Sequence, residues 1–339
     1  MIDAEIIRTL GRQFGIDQLR ITTAQPFTDA KRRINQQRDA GLFLNSERWH
    51  RRDIDRYCDA RTLLTGAKSI IVACQCYLTS ETDDSNTPGN PRGLIARYTW
   101  RNHYADLKGR LSKLAALLKR QYSARSLALS NGEIAEKPTA ERSGLGHYGK
   151  NSLLINEEYG SRIVLGEIIT DIEIQPDRPV TLECGECGQC LTACPTNAFV
   201  EPFILDRRRC IQALTNWYGV LPDEIARVWK NRLYGCSDCQ DACPANAHVK
   251  AQPPRTDIGY VGPSVPLMDI LTMSEDVYRQ RFARNQMGAH WVDFRAIQRN
   301  ALVALGNVRD REMLPLLRQY CTNTDPVLRQ TATWAAAQF

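Results

Sequence analysis

The residues with the clearest chemistry are cysteines. Cys184-Gly-Glu-Cys187-Gly-Gln-Cys190-Leu-Thr-Ala-Cys194-Pro195 has the spacing C-x2-C-x2-C-x3-C-P, the ligand run of a bacterial two-cluster ferredoxin. A second run, Cys236-Ser-Asp-Cys239-Gln-Asp-Ala-Cys243-Pro244, is joined by Cys210 upstream. Eight thiolates match two [4Fe–4S] cubanes at four each. In such runs the cysteine before proline ligates the other cluster. The spacing therefore predicts a crossed assignment. Cluster one takes Cys184, Cys187, Cys190 and Cys243, and cluster two takes Cys194, Cys210, Cys236 and Cys239. C-x2-C pairs also suit zinc, but a third cysteine at x2 and a C-P at x3 have no use in a tetrahedral zinc knuckle. A disulfide framework fits poorly, because the cysteines crowd one region of a long chain with no export features. A chain built this way moves electrons singly, and the question becomes what receives them.

The elements that must position these cysteines are legible in outline. A length of 339 residues predicts two or three domains, and 43% hydrophobic with 24% charged residues is ordinary for a globular chain. No run reaches the ~18 apolar residues of a membrane span, and no signal-peptide pattern opens the chain; both predict a cytoplasmic protein without a membrane partner. An amphipathic opening helix leads to a strand at Gln18, a helix over 26–41, and a β-branched strand over 67–78. Cys74 and Cys76 share one face of that strand as small core residues. A polar loop at 79–92 is long enough to be a lid or binding loop. A helix spans 104–120, with Leu107, Leu111, Leu114, Leu117 and Leu118 as its apolar positions. Two apolar strands follow, at 153–156 and 162–169. The pattern predicts an α+β protein. An N-terminal α/β domain covers 1–175, a ferredoxin-like module 176–250, a proline-containing linker 251–266, and a helical domain 267–339. In the tail, Ala301, Ala304 and Leu305 recur about 31 residues later as Ala332, Ala335 and Ala336, which predicts HEAT-like helix pairs.

Gly144-Leu145-Gly146-His147-Tyr148-Gly149 has G-x-G-x-x-G spacing but lacks the acidic residue and βαβ context of a dinucleotide fingerprint. Its physical content is close backbone approach to a flat or anionic ligand, with Lys150 supplying charge. A tight turn without a ligand explains it equally well. The five histidines, His50, His103, His147, His248 and His290, are scattered, and only His103 and His147 lie near candidate motifs. The net charge of +6 is compatible with a polyanionic partner. The candidate basic surface comprises Arg51, Arg52, Arg207, Arg208, Arg209 and Arg299, and a solvated face is the bland alternative.

Taken in order, Ala96-Arg97-Tyr98-Thr99-Trp100, Arg142 to Asn151, Leu165-Gly166-Glu167 to Asp171, Tyr234-Gly235-Cys236 and the eight cysteines resemble the epoxyqueuosine reductase family over most of the chain. The resemblance implies a cobalamin-dependent iron–sulfur oxidoreductase that reduces epoxyqueuosine to queuosine in tRNA. Its N-terminal domain, shared with reductive dehalogenases, would hold cobalamin base-off. The implied corrinoid contacts are Tyr98, Gly144, Leu145, Gly146, Gly149, Lys150 and Asn151. It further implies tRNA as partner, an external electron donor such as flavodoxin or ferredoxin, and a monomer.

The pattern departs from the family at one position. Counting back from Glu136-Lys137 puts Ser130 where the family carries its presumed general acid, an aspartate, and a hydroxyl is a far weaker acid. Three readings stay open. Another group, Glu133 first and then Tyr104 or His103, donates the proton in a true epoxyqueuosine reductase. Alternatively, the protein is a paralogue that reduces a different substrate with the same cofactors. In the third reading it is a non-catalytic electron-transfer or corrinoid-handling protein.

Overall fold

The computed structural model describes residues 2–44, 52–82 and 88–339; His50, Arg51 and residues 83–87 of the polar loop lie outside the described residues. Its centre is a four-stranded sheet. Ser69–Cys76, buried along its whole length, lies between Gln18–Thr23 and Ile163–Thr170, and Ser126–Leu129 forms the far edge. Every pairing is antiparallel, which corrects the expected α/β arrangement to α+β. The reason lies in the connection over 24–68. Thr23 faces Ser69, so the chain leaves and re-enters at the same end of the sheet, whereas a parallel βαβ unit must return to the other end.

Helix His103–Tyr122 covers one sheet face. Its Leu107, Leu111, Leu114 and Leu118 form a fully buried stripe at helical spacing, packed with Ile7 from helix Ala4–Gln13. The Asn102 side chain accepts from the Ala105 amide and starts the helix. The opposite face packs Phe27, Ile54, Cys58, Ile134, Leu145 and Leu154 against Ile70, Val72, Cys74 and Ile169. Cys74 and Cys76 are both buried, as expected of core residues.

A smaller sheet joins three distant stretches of chain. Arg92–Ile95 runs parallel to Arg232–Tyr234 and antiparallel to Ser264–Pro266. The segment expected to be a linker therefore contributes an edge strand, where a Pro266 without an N–H is tolerated. Helices Phe294–Val308, Leu314–Tyr320 and Pro326–Ala336 share one core with this sheet, and Ala301, Ala304, Ala332 and Ala335 are fully buried in it. Gly306 permits the helix contact: a Cβ there would sit 2.8 Å from the Ala335 Cα.

A buried polar seam fixes the cysteine region to the main sheet. Gln240 Nε2 donates to the Tyr77 hydroxyl (2.9 Å) and to the Ser161 carbonyl (2.8 Å), while Asn246 Oδ1 accepts from the Ser161 amide (2.7 Å). Arg162 reaches Asp241 at 2.6 Å. Gln240 and Asn246 satisfy groups that would otherwise be buried unpaired, so the 238–246 arm has one register against Ser161 and Arg162, just before strand Ile163–Thr170. Among the described residues no helix is long and apolar enough to cross a membrane.

Candidate functional site

The cysteines fold into two neighbourhoods. Cys190, on the short helix Gln189–Thr192, lies within electrostatic reach of Cys184, Cys243 and Cys187. Cys243 in turn feels Cys184 and Cys187. Cys239, on helix Asp238–Asp241, feels Cys210, Cys236 and Cys194 most strongly, and Cys190 beyond them. Cys210 feels Cys194, and Cys236 feels Cys210. Among the described residues no three His, Cys, Asp or Glu converge as on a single ion; a cubane, with one thiolate per iron, does not ask for that. Arg232, buried, donates from Nη2 to both Asp238 carboxylate oxygens at 2.6 Å and anchors the second neighbourhood.

The second neighbourhood abuts the N-terminal sheet unit through Tyr98. The Tyr98 hydroxyl accepts from Gln212 Nε2 (3.2 Å), and Cys236 and Cys210 lie within electrostatic reach of the ring. Gly235, at φ +80°, is needed there because a Cβ would meet Ala96 Cβ at 2.6 Å and the Tyr98 hydroxyl at 2.9 Å. Asn151 Nδ2 donates to the Cys239 carbonyl (3.3 Å) and its Oδ1 receives the Leu153 amide (3.2 Å), so the end of the glycine turn touches the same neighbourhood.

The start of the turn faces elsewhere. Gly144, Leu145, Gly146 and His147 line a cavity of about 330 Å³ together with Gln18, Arg20, Val180 and Leu182; Tyr98 is not among its lining residues. Two glycines there have an intramolecular reason. A Cβ on Gly144 would lie 2.1 Å from the Arg178 carbonyl oxygen, and one on Gly146 would lie 2.3 Å from that of Ile155. Leu145 is a core residue. Gly149 is buried against Ile155, and the Lys150 carbonyl accepts from the amide of Phe203 (2.9 Å).

Ser130 follows strand Ser126–Leu129, and its hydroxyl donates to the Leu165 carbonyl (2.6 Å). Glu133 is more than half exposed and ion-paired with an equally exposed Arg56 at 3.0 Å, a pairing of little energetic weight. His103 is buried beside Tyr77 (ring centroids 6.0 Å apart). Burial, reinforced by Arg101, pulls it down to about 4, so it is neutral at pH 7 and holds no proton to give. Burial pushes Tyr104 far above the usual tyrosine range.

Two carboxyls that the spacing did not single out lie beside this loop. Glu136 opens helix Glu136–Arg142 and accepts from the Gly132 amide (3.2 Å). Glu167, fully buried on the strand Ile163–Thr170, has no hydrogen-bond partner at either oxygen among the described residues. Burial raises Glu136 to about 7 against the braking hydrogen bonds of Gly132 and Asn131. Burial, then repulsion from Glu136, pushes Glu167 well above the usual range. A signal existed in the sequence: Glu167 is the one charge in Ile163–Thr170, a run that is otherwise apolar, glycine or threonine. An acid whose value is raised on folding favours the fold in its neutral form. Its contribution is full below the ordinary 4.5 and drains away as pH rises towards the folded value. Glu167→Gln is therefore expected to be more stable than the parent by about 2 kcal/mol at pH 7.5, with the gap closing by pH 4.5. Urea titrations at the two pH values measure this, and a pH-independent gap would contradict a neutral Glu167.

The expected basic surface needs correction. Arg299 is fully buried, its guanidinium donating to the carbonyls of Leu214, Trp217 and Gly219. A cation inside helix Phe294–Val308 is tolerated because three backbone carbonyls at and just beyond the end of helix Ile211–Leu214 converge on it. Arg208 is bidentate to Asp206, Arg209 donates to the Thr196 carbonyl, and Arg52 lies over the Tyr57 ring.

Comparison with known proteins agrees with this architecture. Residues 183–246 match a family described as a 4Fe-4S double cluster binding domain, and residues 58–129 match one described as epoxyqueuosine reductase QueG, DUF1730. The chain is 34% identical to the epoxyqueuosine reductase of Bacillus subtilis (strain 168) over 96% of its own length and 84% of the relative's. With the Escherichia coli (strain K12) enzyme it shares 34% over 81% and 74% of the two lengths. A crystal structure of an epoxyqueuosine reductase with an epoxyqueuosine-modified tRNA-Tyr stem loop superposes with a TM-score of 0.89 at 32% identity, covering 98% of this chain and 89% of that one. With similarity of this extent running through both the cysteine module and the sheet unit, the chain belongs to the epoxyqueuosine reductase family.

Proposed function

We propose that this protein reduces epoxyqueuosine to queuosine in tRNA, drawing electrons through two [4Fe–4S] clusters and cobalamin. The observation that carries the reading is the joint at Tyr98, where residues of the sheet unit meet the second cysteine neighbourhood through Gln212 and Gly235. Tyr98, with Gly149, Lys150 and Asn151 at the Cys239 end of the turn, would hold the corrinoid. The half-buried rings of Tyr98 and Tyr104 suit a large flat group there. Bound base-off, cobalamin would supply a strongly reducing, nucleophilic cobalt that the clusters recharge one electron at a time. The chain's own task is to seat the modified nucleoside, exclude water and deliver protons to the departing oxygen. Loss of an epoxide oxygen as water takes up two electrons and two protons. The reductant is a single-electron donor of flavodoxin or ferredoxin type, acting on a cytoplasmic monomer. Three units, 1–175, 176–250 and 267–339, the last HEAT-like in its pairing of helices 294–308 and 326–336, organise the chain.

The test is anaerobic. The protein is reconstituted with iron, sulfide and cobalamin, reduced, and given tRNA bearing epoxyqueuosine; digested nucleosides are examined for queuosine. Conversion supports the reading. A fully loaded, reducible protein that leaves the nucleoside untouched favours the paralogue. Ser130→Ala is expected to convert within about threefold of the parent, because a hydroxyl tied to the Leu165 carbonyl is too weak an acid to matter. Affinity for the stem loop is expected to fall steeply between 50 and 200 mM salt, on the order of tenfold or more, as phosphate contacts release counterions.

A further inference from the structure

The family's acid is missing at Ser130, and the residues around that loop supply a replacement. Ser130 is tied to the Leu165 carbonyl, and Glu167 lies two residues further along the same strand, on the same face. Leu129, just before Ser130, is Glu167's partner in the sheet. The chain then turns and returns with Glu136, whose carboxylate braces the loop from the Gly132 amide. Two carboxyls thus flank one short loop. Glu167 is sealed from solvent with both oxygens unpartnered among the described residues, and Glu136 is half-buried at the start of a helix that packs on the same sheet face.

We propose that Glu136 and Glu167 are the proton source of this active site, sharing a proton that Glu167 stores and Glu136 delivers at the Ser130 loop. The inference rests on the reductase reading above. Two carboxyls that repel each other, one of them fully buried, cannot both ionise cheaply, so one proton stays with the pair at neutral pH. The charged and titratable groups that act on the pair from the packed elements are Arg52, Lys137, Tyr57 and Tyr104. Arg52 and Lys137 favour ionisation of Glu136, yet burial outweighs both. In the reaction, the departing oxygen takes its first proton from Glu136, which draws on Glu167. Solvent returns that proton to the pair and provides the second, and the two electrons come through the clusters. Glu136 is the proton donor, and Glu167 is a positioning residue that acts through it. Glu133, paired with Arg56 in solvent, has no part in it.

The test compares reconstituted parent, Glu136→Gln, Glu167→Gln, Glu136→Asp and Glu133→Gln by single turnover on epoxyqueuosine-bearing tRNA across pH. Expected are losses of about 100-fold or more in both Gln variants at Glu136 and Glu167, since a positioned acid contributes on that scale. Glu136→Asp should recover most of the rate, Glu133→Gln should match the parent, and the parent's alkaline limb near pH 7 should vanish in Glu136→Gln. Parental rates in Glu136→Gln and Glu167→Gln, or a loss confined to Glu133→Gln, would overturn the proposal. Infrared difference spectra of the same proteins provide a readout without turnover. A neutral-carboxyl band at pH 7 should be present in the parent and absent from Glu167→Gln; its persistence in both Gln variants would overturn the shared proton. Should the parent leave epoxyqueuosine untouched, the substrate reading fails while the infrared result still decides the pair.

Discussion

Cys194→Ala is expected to destroy the cluster held by Cys236 and Cys239 and to spare the one held by its own neighbours in sequence. Cys194 sits four residues after Cys190, so a linear reading assigns both to one cubane. The expected crossing sets them apart, and the neighbourhoods of the fold favour it. Cys190 keeps company with Cys184, Cys187 and Cys243, while Cys194 is felt by Cys210 and Cys239. The Pro195 peptide turns the chain so that the preceding cysteine points away from its run. The Ala198 amide donates to the Cys194 sulfur (3.3 Å), a charge-assisted bond that steadies a thiolate in that outward direction. Reconstituted Cys194→Ala should bind about half the parental iron and sulfide, and so should Cys243→Ala. The double variant Cys194→Ala/Cys236→Ala should retain as much as either single variant at cluster two, because both remove ligands of one cubane. Cys194→Ala/Cys184→Ala should retain almost none. Iron analysis with electron paramagnetic resonance of the reduced proteins measures this. Half-loading in the second double variant and none in the first would reverse the crossing.

What the sequence disclosed and what it hid divide along physical lines. The cysteine array was legible because ligand spacing is local: the distances that wrap a cubane are set by a few peptide units. Strands Gln18–Thr23 and Ser69–Cys76 were legible from β-branched runs, and helix His103–Tyr122 from leucines at helical spacing. Strand direction was not, because it depends on which end of the sheet the 24–68 connection returns to, a property of the assembled chain. The strand at Ser264–Pro266 was hidden because its prolines read as a linker, and only an edge position against Arg92–Ile95 makes them acceptable. The glycine turn was half legible. Its glycines do answer a demand for close backbone approach, but at Gly144 and Gly146 the approach is to the protein's own carbonyls. The carboxyl pair escaped notice because Glu136 and Glu167 are 31 residues apart in sequence, and only the antiparallel return of the chain brings them to one loop and one sheet face.

Arg299 belongs to the hidden class, and its replacement should carry a large stability cost. An arginine in Arg299-Asn300-Ala301-Leu302 looks like the wet edge of a helix. Yet every position from Arg299 to Gly306 is buried. The guanidinium sits near the rings of Trp217 and Trp229 (5.9 and 5.5 Å to the centroids) and donates at 2.7 Å to the carbonyls of Leu214 and Trp217 and at 3.2 Å to that of Gly219. Burial pulls its value down only to about 9, so it is still charged at pH 7. No carboxylate pairs with it in these bonds; the carbonyl dipoles do the work that water did in the unfolded chain. Arg299→Ala strips the guanidinium from three carbonyls, of which only that of Leu214 keeps a described donor, the Trp217 amide, and leaves a side-chain-sized void; both are expensive in the interior. A loss of about 3–5 kcal/mol is expected, and Arg299→Lys should recover only part of it, since a single nitrogen cannot reach acceptors that Nη1 and Nη2 now serve from two positions. The damage should not stay in the tail. Leu214 ends the helix Ile211–Leu214, whose N-cap residue is Cys210, so loosening 214–219 frees a ligand of cluster two. Arg299→Ala should therefore melt earlier by circular dichroism and, on mild warming, release the iron of cluster two before that of cluster one. Simultaneous release of both clusters would mean that the arginine supports the whole module and not the Cys210 segment alone.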